Sequence, residues 1–89
     1  MLIRVVAFTA ALLATSAAFA GPDCTQEPRE KWIPPVEMLT QAMKDVPKMN
    51  VFKVTKGNCY EIYGWDAKGE KVEIYYHPIT GEIAKRGTW

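Results

Sequence analysis

From residue 59 onward the chain alternates apolar and polar positions with a period of two. Tyr60–Trp65 (YEIYGW) and Val72–Tyr76 (VEIYY) are rich in aromatic and β-branched residues and read as strands. Asp66-Ala67-Lys68-Gly69 lies between them. An aspartate opens a type I turn because its carboxylate accepts from backbone N–H groups ahead of it, and a glycine suits the left-handed position that closes the three-residue hairpin loop. This turn fixes the register. Ile62 falls opposite Ile74, Tyr60 opposite Tyr76 and Gly64 opposite Val72, on an apolar face expected to be the core. The other face pairs Glu61 with Tyr75, Tyr63 with Glu73, Trp65 with Lys71 and Cys59 with His77.

A second turn is expected at His77-Pro78-Ile79-Thr80-Gly81, followed by a short last strand, Glu82 to Arg86, that would place Ile83 on the core. Upstream, Val36, Leu39, Met43 and Val46 recur at helical spacing, with Met38 and Ala42 widening the stripe, so a helix is predicted over Val36 to Val46. Pro35 suits its first turn, Glu37 suits the positive end of the helix dipole, and Pro47 stops it. Met49 to Thr55 is a first strand, although its alternation is less clean. The fold class is therefore α+β, one N-terminal helix packed on an antiparallel sheet of three to four strands.

The first 20 residues follow another pattern. Arg4 precedes an apolar run from Val5 to Leu13, and small residues lead to Ala18-Phe19-Ala20. That order describes a secretory signal peptide cleaved after Ala20. The apolar run is short for a membrane span, and Gly21-Pro22-Asp23 before Cys24 is not a lipoprotein signal. On this reading the mature chain has 69 residues, with 21–35 an extended, proline-containing strap and 36–89 the domain. Trp32 would anchor the strap on the domain. So small a chain buries only about 60% of its surface on folding.

Compartment and charge narrow the function. The mature part has 10 basic and 10 acidic side chains, which argues against nucleic acid or an anionic membrane as partner. An exported chain meets oxidising conditions, so Cys24 and Cys59 are expected to form a disulfide. The alternatives are a reactive thiol or a metal site, but two cysteines and one histidine make a poor tetrahedral set. The methionines, at helical spacing, are core filler rather than soft-metal ligands. No nucleophile with a base and no metal-ligand cluster is legible, so an enzyme is not expected. Glu61 and Glu73 are diagonal on one face, but both are expected to be exposed, with nothing to raise either pKa.

The series Cys59-Tyr60-Glu61-Ile62-Tyr63, Asp66 to Gly69, Val72 to Tyr76 and Pro78 to Glu82, with Cys24, Pro28 and Trp32 ahead of it, resembles the PepSY domain family, in particular its small secreted single-domain members. The family usually has Asp before its Pro-x-Thr-Gly turn. Here His77 stands there, a poorer cap of the turn. The resemblance implies a non-enzymatic secreted or periplasmic module that binds, and inhibits or regulates, a protein partner such as a peptidase or a membrane-protein ectodomain. Tyr63, Trp65 and Tyr75 beside Glu61 and Glu73 are the candidate partner-binding residues, since aromatic side chains dominate interface cores. The competing reading is that the strap covers this face. A further alternative is a ligand- or cofactor-binding accessory to a membrane redox protein, with His77 and the methionines as ligands. No cofactor is implied otherwise.

Overall fold

The computed structural model describes residues 21–89; the expected signal peptide lies outside them. A short 3-10 turn, Arg29–Lys31, precedes one helix, α1 (Pro35–Ala42). Four strands follow: β1 (Lys48–Val54), β2 (Tyr60–Trp65), β3 (Lys71–Tyr76) and β4 (Ile83–Gly87). They form one sheet in the order β1-β2-β3-β4, every neighbouring pair antiparallel.

The central hairpin has the expected register, with Ile62 opposite Ile74, Glu61 opposite Tyr75 and Tyr63 opposite Glu73. Its turn shows why. Asp66 Oδ1 accepts from the backbone N–H groups of Lys68 at 2.9 Å and Glu70 at 3.0 Å. Gly69 has φ +83°, where a Cβ would crowd the backbone. In the second turn the imidazole stands in for the expected aspartate. His77 Nδ1 accepts from the N–H of Ile79 at 3.2 Å and of Thr80 at 3.3 Å.

β1 begins one residue earlier than expected, and its uneven alternation has a cause. The register slips between Met49 and Val51, leaving Asn50 as a bulge residue. That extra residue lets Met49 and Phe52 both pack against the core although they are three apart. A matching slip in β4 leaves Ala84 unpaired between Ile83 and Lys85.

Two expectations about the core are corrected. The helix ends at Ala42, with a turn running on to Val46, and its buried side is Met38, Ala42 and Val46, all fully buried. Val36 and Met43, expected on the core face, are 74% and 54% exposed. The helix is turned by roughly one residue's step, about 100°. Polar contacts set that phase. The Tyr76 hydroxyl donates to Asp45 Oδ2 at 2.9 Å, and Gln41 Nε2 donates to the Gly81 carbonyl at 2.8 Å. A buried phenol needs a partner, and satisfying it draws the 41 and 45 side of the chain toward β3. Ile83 is the second correction, at 45% exposed. It sits on the edge strand and rims an open groove with Thr40, Gln41 and Tyr76 instead of lying beneath the helix.

The strap is tied down as expected. Cys24 and Cys59 form a disulfide, their Cα atoms 5.2 Å apart. Trp32 joins the core, edge-on to Tyr60 with ring centroids 5.4 Å apart, and its Nε1 donates to the Glu27 carbonyl at 3.0 Å. The Tyr60 hydroxyl donates to the Ile33 carbonyl at 2.7 Å. Most of the strap therefore lies on the helix side of the sheet.

Candidate partner-binding face

The helix and Trp32 cover one face of the sheet. The opposite face is where the pairing of β2 with β3 places Tyr63, Trp65, Tyr75, Glu61 and Glu73 together. Val51 and Lys53 of β1 lie beside Tyr63 and Glu61, and Lys85 of β4 lies beside Tyr75. Alternation along four strands thus gathers an aromatic and acidic centre within a basic surround.

The two ends of the described chain both reach this face. At the C-terminal end Trp89 stands edge-on to Trp65 and Tyr63, with centroids 5.5 and 5.6 Å away. Its Nε1 donates to the Gly64 carbonyl at 3.2 Å, and the Thr88 hydroxyl donates to the Lys71 carbonyl at 3.2 Å. Alternation along the strands assigns Trp89 no role, since this contact joins β4's end to β2 across an intervening strand. Trp89 itself remains 39% exposed. At the other end Gly21 packs on the ring of Tyr75, and the Pro22 carbonyl oxygen lies 3.3 Å from Cys59 Sγ. The strap therefore covers the Tyr75 end of the face, while Trp65 is flanked by Trp89.

Lysines lie over the rings: Lys48 Nζ is 5.1 Å from the Trp65 centroid, Lys53 Nζ 5.6 Å from Tyr63 and Lys71 Nζ 4.8 Å from Trp89. These cation–π contacts offset the acidic centre and hold the aromatic row in place.

Glu61 departs most from expectation. It is only 3% exposed. Lys53 Nζ stands 3.8 Å from its Oε1, whereas its Oε2 has no hydrogen-bond partner among the described residues. Burial, and next the contact with Glu73, push the Glu61 carboxyl above its usual range. Glu73 is held below that range, first by the adjoining Glu61 carboxyl, and it accepts the Tyr75 hydroxyl at Oε2 at 3.0 Å. The two carboxyls are thereby driven apart, Glu61 upward and Glu73 downward. Two carboxyls with separated pKa values suit acid–base chemistry, but Glu61 is closed to a substrate.

The cofactor alternative finds little support in the positions of its ligands. His77 Nδ1 is engaged in its turn, Met38 is in the core and Met43 points outward from the helix. Among the described residues no group of three or more His, Cys, Asp or Glu is placed to hold a metal ion.

No curated protein and no solved structure matches the chain. A family model does, over residues 4–87. With that match spanning nearly the whole sequence, the chain belongs to the PepSY family, described as the peptidase propeptide and YPEB domain.

Proposed function

We propose that this chain is an exported, non-enzymatic PepSY module that engages a protein partner through the exposed aromatic row Tyr63, Trp65 and Trp89, and that its partner is a peptidase or a peptidase-linked membrane protein which it inhibits or regulates. The observation that carries the reading is the one-sided covering of the sheet. The helix and Trp32 pack on one face, and the other keeps three partly exposed rings in mutual contact. Clustered aromatics within a polar rim are the usual anchors of protein interfaces. Family membership supports a peptidase-related role. The disulfide supports an oxidising compartment, and no described helix is long and apolar enough to cross a membrane.

The test is capture from a periplasmic extract by residues 21–89, identification of what is retained, and direct titration of the purified partner. Trp65→Ala and Tyr63→Ala should abolish binding. Each removes one edge-to-face contact, about 0.5–1.5 kcal/mol beyond the buried area of the ring, and neither ring is part of the core cluster, so both variants should stay folded at room temperature. Glu73→Ala should weaken binding less, chiefly by slowing encounter. If the partner binds Trp65→Ala and Tyr63→Ala as tightly as the wild type, this face is not the interface.

A further inference from the structure

Among the described residues the outer side of β1 has no strand beside it, since β1 pairs with β2 alone. Its regular stretch is short. Asn50 bulges at one end, and at the other the Thr55 N–H donates to the Cys59 carbonyl at 3.0 Å. That bond fixes the phase of the ladder. Bonded and non-bonded positions alternate in an antiparallel pair, so Val51, Lys53 and Thr55 bond to β2, while Phe52 and Val54 turn their N–H and C=O groups outward. Among the described residues no backbone hydrogen bond from the strap reaches either of them.

The Phe52 and Val54 side chains are half-buried and pack against the core from the helix side. With Trp32, Tyr60 and Pro34 they line a pocket of about 380 Å³ beside the free edge. That is at the low end of ligand-sized clefts, roughly 300–1,000 Å³, room for a side chain or two and not for a folded surface. Arg29 lies at the same pocket, its guanidinium carbon 4.7 Å from the centroid of the Trp32 ring. The charge along this edge has one sign. From Lys48 to Lys56 the chain carries three lysines and no acid. Lys53 is shared with Glu61, but neither Arg29 nor Lys56 has a carboxylate in ion-pair contact among the described residues.

We propose that this edge is a second binding site, which takes an extended acidic peptide by strand addition. The peptide pairs its backbone with Phe52 and Val54, seats one aromatic or aliphatic side chain in the pocket, and places a carboxylate on Arg29. In this mode the free main-chain groups supply affinity and the adjoining pocket supplies specificity. The bulge at Asn50 limits the added strand to a few residues, and the basic edge selects an acidic segment over a copy of this chain. The site is separate from the aromatic row on the other face, and it stands whether or not that row binds a partner.

The probe is the synthetic peptide acetyl-Glu-Thr-Phe-Thr-Glu-amide, in which both glutamates and the phenylalanine share one side of an extended strand. Titrated into isotope-labelled residues 21–89, it should shift the amide signals of Val51 to Thr55 and the Trp32 indole, and slow hydrogen exchange at Phe52 and Val54. Methylating the peptide's amide nitrogens at every second residue, in either phase, separates strand pairing from side-chain contact alone. One phase should lose about tenfold in affinity and the other far less. Replacing both glutamates by lysine, or Arg29→Gln in the protein, should each cost about tenfold or more, the value of one charge-assisted hydrogen bond. The lysine peptide makes that test on the unaltered protein. Equal affinity for the two methylated peptides, undiminished affinity for the lysine peptide, no binding at millimolar peptide, or shifts that fall on the Trp65 and Trp89 indoles instead would each overturn the proposal.

Discussion

Two isoleucines that share an apolar face by sequence pattern should respond very differently to truncation. Ile74 is fully buried in the middle of β3, opposite Ile62 on one side and Arg86 on the other. Ile83 is on β4 and 45% exposed. Ile74→Ala leaves a cavity in the centre of the core, at about 2–5 kcal/mol. For the described residues 21–89 the whole stability is of order 3–10 kcal/mol. The variant should thus lose roughly half of it and melt about 10–30 °C lower. Ile83→Ala opens onto the groove beside α1, where water fills the space, so the cost should stay under about 1 kcal/mol, a shift of at most about 8 °C. The measurement is thermal unfolding of both variants by circular dichroism, with the disulfide intact in each. Equal melting temperatures would refute the reasoning, since they would require Ile83 to be as well covered as Ile74 and the helix to extend over the edge strand.

Two further outcomes follow from the covalent and electrostatic restraints. Alkylation without reductant should label neither cysteine, and Cys24→Ser with Cys59→Ser should lower stability by about 4 kcal/mol in the chain-entropy model, because the bond spans 35 residues of sequence; labelling of both thiols in the untreated protein would contradict the bridge. Asp66 is held below the usual carboxylate range, mainly by the Glu70 N–H, then by the Lys68 N–H and Arg86. A depressed folded pKa stabilises above the unfolded value and is lost as pH falls through the folded one. Asp66→Asn should therefore melt lower than the wild type at pH 7, and the difference should shrink on acidification; a gap independent of pH would mean that the charge does not hold the turn.

The central hairpin was legible because its determinants are local. Asp66 and Gly69 set the turn, and a period of two then assigns every side chain from Tyr60 to Tyr76 to a face. The phase of the helix was not, because the apolarity of Val36 and Met43 carried less weight than the need of the Tyr76 phenol on β3 for an acceptor at Asp45. Ile83 was misplaced for a related reason: alternation tells which face a residue is on, not whether anything covers that face at the sheet's edge. At the candidate site the pattern brought Tyr63, Trp65, Tyr75, Glu61 and Glu73 to one surface, but the packing of Gly21 on Tyr75 and of Trp89 on Trp65 lay outside it. Those contacts join residues far apart in sequence through segments without periodicity.

The bulges at Asn50 and Ala84 both fall in the outer strands, β1 and β4. A sheet of four strands has two edges with unpaired backbone groups, and a second chain could extend either one into a growing ribbon. Each bulge twists its strand locally and interrupts the even spacing of donors and acceptors that such a template requires. Lys48 and Lys53 along one edge, and Lys85 and Arg86 along the other, add like charge against a copy of the same chain. Both borders of the sheet are thereby guarded against self-polymerisation, which leaves self-association of this small, aromatic-rich protein to contacts between side chains rather than between backbones.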